Sequence, residues 1–263
     1  MTSNFITILG TGNAHATQCY NTCFTIHSGD AIMLVDAGGG NGILTQLERA
    51  GIGLGDFHDL FLTHAHTDHF LGAVWIVRMA LEHHQRLRVW SHSKVIGLLT
   101  NICTQILPKK AVDNIGNLVT MHTLEDGDRF DVGNIKIQCF DIHSTKEIQF
   151  GFNALFADGT RLCCLGDEPF NPLCAQYAEG VDWLMSEAFC TFNDREIFRP
   201  YEKSHSTALD AAVAAEQLRV KNLILYHTED RTLATRSQKY TAEASTKFSG
   251  KIIVPNDLEK IML

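Results

Sequence analysis

A dense group of histidines and one aspartate follows a predicted buried strand at residues 59–62. From Thr63 to His69 the chain reads Thr-His-Ala-His-Thr-Asp-His. Multiplying residue frequencies gives about 0.002 chance occurrences of its His-x-His-x-Asp-His core in a chain of this composition. Imidazole nitrogens and carboxylate oxygens together suit zinc, with manganese or iron as substitutes. Four ligands within six residues cannot all reach one tetrahedral ion, so the run predicts two ions, each completed from elsewhere in the chain.

Three further candidate ligands stand at or just beyond the ends of predicted strands: His143, Asp167 and His227. Taken singly, a histidine or aspartate at a strand end is more often a capping or surface residue than a ligand. The histidine run changes that balance, because two ions need about three more protein ligands and open positions for water and substrate. A rigid sheet would present all three at a common edge.

The elements that must position these residues form two similar halves. Strand patterns occupy residues 5–9, 23–27, 31–35, 59–62, 87–90, 135–142, 149–156, 161–165, 183–187 and 223–226. Helical patterns occupy residues 43–50, 72–85, 95–106, 206–218 and 237–248, and residues 251–254 predict the start of a last hairpin. Each half runs through strands first and then alternates strand and helix. This predicts an α/β fold of two sheets packed face to face with helices outside, in a single domain over residues 1–263.

Composition narrows the class of protein. The 263 residues are 45% hydrophobic, which is enough for a large core, and the formal net charge is −8, the wrong sign for a broad polyanion-binding face. The eight cysteines form no Cys-x-x-Cys pair and are predicted to be reduced thiols. No apolar run approaches the roughly 20 residues of a membrane span, and the N-terminus shows no signal-peptide pattern. We therefore expect a soluble cytoplasmic protein without a membrane partner.

The chain resembles the metallo-β-lactamase superfamily and, within it, the ribonuclease Z branch. The resemblance extends along essentially the whole chain and implies a four-layer αββα sandwich with the active site at one sheet edge. It implies two zinc ions, one held by His64, His66 and His143 and the other by Asp68, His69 and His227, with Asp167 bridging them. Asp36, within Leu34-Val-Asp-Ala-Gly38, matches the first family motif, whose aspartate orients a ligand or a metal-binding loop.

Two further motifs point to the ribonuclease Z branch. Ser186-Glu187-Ala188-Phe189 resembles its His-Glu-Ala-Thr motif, and His205-Ser206-Thr207-Ala208 matches its His-Ser-Thr motif. The resemblance implies that a metal-bridging hydroxide attacks phosphorus while Asp68 helps accept the water's proton. It also implies that His205, oriented by Glu187, protonates the leaving oxygen. The alternative for His205 is structural, because Ser206 or Thr207 would cap the following helix in any case.

Two departures weaken the case for tRNA as the substrate. The segment from His143 to Gly151 leaves no room for the long basic arm with which tRNA-processing ribonuclease Z enzymes grip tRNA. The N-terminal loop motif Pro-x-Lys-x-Arg-Asn is reduced to Asn21, with Ala16, Gln18 and Tyr20 in place of the other three residues. Two cations that would face a phosphate backbone are therefore missing.

Four functions stay open. The favoured one is a dinuclear zinc phosphodiesterase acting on a small or single-stranded phosphodiester, for example a cyclic nucleotide. The second is a tRNA 3′-processing endoribonuclease whose partner or dimer surface replaces the arm. The third is hydrolysis of a lactone, thioester or sulfate ester at the same metal site. The fourth is a non-catalytic, metal-bearing binding or sensor module. The candidate acid His205 argues against this fourth function, because such a module needs no proton donor.

Two expectations concern aromatic residues and assembly. The aromatic stretch from Phe189 to Tyr201 has two interpretations. It forms a mobile lid or a surface on which bases stack, or it packs in the core or at a dimer interface. Tyr226, next to His227, should point into the core, since neighbouring strand residues face opposite sides. The resemblance also implies a homodimer.

Overall fold

Two sheets of seven strands lie face to face in the computed structural model, which describes residues 3–263. Met1 and Thr2, at the start of the predicted domain, lie outside the described residues. The first sheet has the order β14-β1-β2-β3-β4-β5-β6 and the second the order β13-β12-β11-β10-β9-β8-β7. Within the described part of the chain, no helix is long and apolar enough to cross a membrane.

Each sheet is built mostly from one half of the chain. The strands of the first sheet are β1 (Asn4–Gly10), β2 (Cys23–Ser28), β3 (Ala31–Val35), β4 (Asp59–Phe61), β5 (Leu87–Ser91), β6 (Val119–Thr123) and β14 (Lys260–Met262). The strands of the second are β7 (Arg129–Val132), β8 (Ile135–Asp141), β9 (Phe150–Leu155), β10 (Arg161–Cys164), β11 (Trp183–Glu187), β12 (Asn222–Tyr226) and β13 (Lys251–Ile253). Strands β3 to β6 are parallel, as are β10 to β13.

Helices follow the same division. The first half contributes α1 (Gly42–Arg49), α2 (Thr67–Glu82), α3 (Ser93–Ile106) and α4 (Lys109–Val112). The second half contributes α5 (Ala175–Ala178), α6 (Arg195–Phe198), α7 (Ala208–Gln217) and α8 (Leu233–Ala244). Helix α2 begins earlier than the apolar periodicity predicts, so Asp68 and His69 occupy its first turn.

Strand periodicity explains the layers. In β12, Leu223 and Leu225 pack with residues of α7 and α8, while Ile224 and Tyr226 pack between the two sheets. The alternation follows from the period of two in a strand. Apolar side chains thus fill three layers, one between the sheets and one between each sheet and its helices. The predicted αββα sandwich is confirmed, and Tyr226 lies in the core as expected.

The predicted last hairpin is wrong. Residues Lys251–Ile253 form β13, which pairs with β12 in the second sheet, whereas β14 pairs with β1 in the first. Two short aliphatic runs around Pro255-Asn256-Asp257 have the local pattern of a hairpin. Each run instead finds an unpaired edge strand in a different sheet, so the connecting residues cross from one sheet to the other.

Candidate active site

Six of the seven predicted ligands converge at one cavity at the edge of the two sheets. His64, Asp167 and His227 follow β4, β10 and β12 within three residues of the strand ends. His66, Asp68, Asp167, His205 and His227 line the cavity, whose volume is about 400 Å³. This volume lies at the lower end of the range of small-molecule sites, about 300–1,000 Å³.

Asp167 lies at the centre of the donor groups. Its Oδ2 is 3.5 Å from His64 Nε2, 3.6 Å from His69 Nε2 and 3.7 Å from His227 Nε2. Four sets of three side chains have ligand atoms within 4.8 Å of one another: His64, His69 and Asp167; Asp68, His69 and His227; Asp167, His205 and His227; and His64, His66 and Glu147. Six of the seven predicted ligands belong to these sets, and the seventh, His143, is in none of the sets found in residues 3–263.

The chemistry of these side chains fits bound cations. His69 Nε2 and Asp167 Oδ1 are buried, and neither has a hydrogen-bond partner among the residues that the structure describes. Leaving buried polar atoms unpaired is costly, and a coordinated metal removes that cost. Nitrogen and carboxylate donors suit zinc, although the donor set also accommodates manganese or iron.

Burial and neighbouring charges shift the pKa values of the histidines in the donor groups. Burial lowers the pKa of His64 and His227, which favours the neutral imidazole that ligates metals. Burial also acts to lower the pKa of His69, but the carboxylates of Asp68 and Asp36 raise it to about 10. A cation at this position would replace the proton that those carboxylates favour on His69.

Asp36 supports two of the ligands. Its Oδ2 accepts a hydrogen bond from His69 Nδ1 at 2.7 Å, which leaves His69 Nε2 directed to the donor cluster. The same oxygen accepts from Thr63 Oγ1 at 2.8 Å, and this hydroxyl lies 2.9 Å from His64 Nδ1. A carboxylate that fixes ligand histidines in this way raises metal affinity.

We expect Asp36→Asn to weaken metal binding about 10- to 100-fold, because His69 and Thr63 lose a charged acceptor. Competition with a chelator of known affinity measures the change. Asp59→Asn is the matched control, since Asp59 is also a buried carboxylate of the first sheet but binds Arg88 and Trp90. Equal metal affinities for the two variants would contradict the supporting role of Asp36.

His205 and Glu187 lie together on one wall of the cavity. Glu187 ends β11 and is fully buried, with Oε2 3.6 Å from His205 Nδ1. That separation is longer than a hydrogen bond, yet neither atom has another partner within residues 3–263. The other oxygen of Glu187 accepts from the Ser206 backbone N–H. The two side chains therefore lie next to each other, and the orientation of His205 by Glu187 stays a prediction.

The expected capping of the helix that follows His205 is confirmed. Thr207 is the N-cap of α7 and forms a capping box with Asp210. His205 instead stacks on Phe189, with ring centroids 5.0 Å apart and planes inclined by 19°. Since Thr207 caps the helix, the helix start does not require an imidazole at position 205.

His143 is not brought to the donor groups, so the predicted set of His64, His66 and His143 is not formed. Its side chain is exposed, and Glu147 Oε1 lies 3.4 Å from His66 Nε2 instead. Lys94 pairs with the other oxygen of Glu147 at 2.5 Å and holds this carboxylate beside His66. The role of His143 as a metal ligand stays a prediction.

His143 shares one backbone feature with two residues of the site. Asp36, His143 and His227 all have left-handed φ angles, of 54°, 58° and 57°, just beyond the ends of their strands. Non-glycine residues adopt this conformation rarely, and such residues concentrate at functional sites.

The N-terminal loop forms another part of the cavity wall. Asn13 and His15 line it, and the sequence offered no motif for either. Asn21, the retained residue of the degraded loop motif, donates from Nδ2 to the Asn13 carbonyl oxygen at 2.8 Å. The carboxylate of Asp257 accepts from the backbone N–H groups of Thr11 and Tyr20 at either end of the loop. Asn21 and Asp257 therefore hold the loop against the site.

The chain is similar in sequence and in fold to several known proteins. Residues 5–248 match the family model described as "Anti-Pycsar protein Apyc1". Ribonuclease Z of Mycobacterium marinum is 26% identical over 275 residues, covering 97% of this chain and 97% of that protein. The metallo-β-lactamase fold protein YhfI of Bacillus subtilis superposes with a TM-score of 0.80 at 17% identity, over 100% of both chains. The human short-form tRNase Z gives 0.76 at 20% identity, over 98% of both chains. The predicted resemblance to the ribonuclease Z-like branch is confirmed.

Proposed function

The chain belongs to the family described as Anti-Pycsar protein Apyc1, and on this premise we propose that it is a dinuclear zinc phosphodiesterase acting on small phosphodiesters. The ribonuclease Z relatives and the fold support a metal-dependent hydrolase of phosphodiester bonds. The observation that carries the proposal is the group of three imidazole nitrogens around Asp167, with the His205–Glu187 pair on the adjoining wall.

The side chains of the cavity have separate roles in the proposed hydrolysis: metal binding, acceptance of a proton and donation of a proton. His64, His66, Asp68, His69, Asp167 and His227 would hold two metal ions, with His143 as a further proposed ligand. When bound, such ions supply Lewis acidity and lower the pKa of water. Asp68 helps accept the proton of the attacking water. His205, positioned by Glu187, donates a proton to the oxygen that leaves phosphorus.

The size of the cavity and the net charge of the whole chain favour a small substrate. A cavity of about 400 Å³ accommodates one nucleotide-sized ligand. Only residues 142–149 connect β8 to β9, so the described chain carries no arm at this position. The formal net charge of −8 also disfavours a long polyanion.

Two other activities remain as alternatives. Cleavage of tRNA 3′ ends is favoured by the ribonuclease Z relative, which aligns over nearly its whole length. Hydrolysis of another ester class, such as a lactone, thioester or sulfate ester, would use the same donor groups. The fold does not separate these chemistries.

The test compares three substrates on one sample of known metal content: bis(p-nitrophenyl) phosphate, a 3′,5′-cyclic nucleotide and a precursor tRNA. We expect hydrolysis of the small diesters without cleavage of the tRNA. Cleavage of tRNA at its 3′ end would establish the endoribonuclease instead. Inactivity on all three substrates with two metals bound would point to a different ester class.

We further propose a cytoplasmic homodimer. All eight cysteines are free, which suits a reducing compartment. The homodimer rests on the family resemblance, and a monomer mass from light scattering would exclude it.

A further inference from the structure

Two lysines border the active-site cavity without belonging to its donor groups. Lys146 lies in the loop between β8 and β9, and Lys203 ends the short 3₁₀ turn Tyr201–Lys203. Both line the cavity together with Asp68 and His205. Neither residue belongs to a sequence motif, and we refer to them as the lysine rim.

Lys146 joins the loop between β8 and β9 to the turn Tyr201–Lys203 beside the cavity. Its Nζ donates to the Lys203 carbonyl oxygen at 3.2 Å and lies 3.3 Å from Glu168 Oε1. Its side chain is 28% exposed, so the ammonium is partly screened from solvent. The contact fixes the loop that carries Lys146 against the turn that precedes His205.

Lys203 places its own ammonium near the candidate acid. Its Nζ lies 4.6 Å from the centre of the Phe189 ring, and that ring stacks on His205. An ammonium over an aromatic face is attracted by the ring but keeps hydrogen-bond donors free. The ammonium group of Lys203 therefore lies beside the cavity wall that Phe189 and His205 form.

The charge of the rim complements a phosphodiester. An anion that enters the cavity needs cationic partners, and the described N-terminal loop has Gln18 and Tyr20 where the ribonuclease Z pattern has lysine and arginine. Ammonium groups bind phosphate oxygens as compact point charges. Lys203 supplies such a charge at the cavity, and Lys146 adds a second one that Glu168 partly neutralises.

We propose that the lysine rim binds the anionic group of a small phosphodiester at the border of the cavity. The proposal rests on the proposed phosphodiesterase function. It makes the rim a substrate-binding feature and assigns it no proton transfer. It also gives a reason why a protein of net negative charge accepts an anionic substrate.

The test measures kcat and KM for bis(p-nitrophenyl) phosphate in Lys146→Ala, Lys203→Ala and Lys203→Arg over a range of salt concentrations. Loss of a hydrogen bond to a charged group should raise KM about tenfold or more in each alanine variant, with kcat changed less than about twofold. Wild-type KM should rise with salt, this dependence should flatten in the alanine variants, and Lys203→Arg should restore most of the loss. Lys221→Ala is the control, since Lys221 pairs with Asp182 beside the opposite end of β12.

The outcomes separate the inference from the function on which it depends. A wild-type protein that binds two metals but hydrolyses none of the small diesters refutes the proposed function. An active wild type with unchanged KM and salt dependence in both alanine variants overturns the lysine rim alone. Loss of bound metal in Lys146→Ala would also overturn it, because the lysine would then act by holding the loop in place.

Discussion

His205→Ala is expected to keep both metal ions and to lower kcat about 100- to 10,000-fold on a substrate with an alkoxide leaving group, such as a cyclic nucleotide. The imidazole lies on the cavity wall and stacks on Phe189, while Thr207 caps α7 on its own. Its removal therefore takes away a proton donor and leaves the helix start intact. Steady-state kinetics beside metal analysis of the same sample gives both quantities.

The leaving group provides an internal control for this prediction. p-Nitrophenolate leaves without needing protonation, so the loss for bis(p-nitrophenyl) phosphate should be much smaller than for the cyclic nucleotide. His58→Ala, which removes an exposed histidine bonded to the Arg86 carbonyl oxygen, should change neither rate. Equal losses on the two substrates would remove His205 from the role of general acid.

Asp167→Ala is expected to lower the metal content from two ions per chain to one or none and to abolish turnover. Its Oδ2 lies within 3.7 Å of three imidazole nitrogens, so its removal takes the shared oxygen out of two donor groups. Loss of a ligand should exceed the roughly 10- to 100-fold cost of losing a supporting residue. Metal analysis after dialysis measures the effect.

The matched control is the neighbouring carboxylate. Glu168 is also buried, but it binds Ser144, Gln149 and Lys146 and belongs to none of the donor groups found in residues 3–263. Glu168→Gln should keep two ions per chain. A variant Asp167→Ala that retains both ions at wild-type affinity would show that this aspartate does not bridge them.

Local sequence patterns predict much of the fold because they reflect contacts within one element. The alternation of Leu223 and Leu225 with Ile224 and Tyr226 follows from strand geometry alone. The histidine run is similarly local, since Asp68 and His69 share the first turn of α2. Such features require no knowledge of distant residues.

Features that depend on distant contacts were predicted less well. The last hairpin fails because β13 and β14 pair with edge strands that are remote in sequence. The side-chain position of His143 depends on the loop between β8 and β9, in which Glu147 pairs with Lys94 of α3 and lies beside His66. The lysine rim has no sequence signature, because the contact between Lys146 and Lys203 joins two loops that no motif connects.

The pairing of β14 with β1 bears on how the protein is made. Phe5 pairs with Met262, so the first sheet acquires its outer strand only when that part of the chain has left the ribosome. Asp257, which secures both ends of the loop bearing Asn13 and His15, is also synthesised late. A nascent chain that ends after His227 contains every proposed metal ligand but lacks the residue that fixes one wall of the cavity. Completion of the cavity wall therefore waits for residues that are synthesised after all of the proposed ligands.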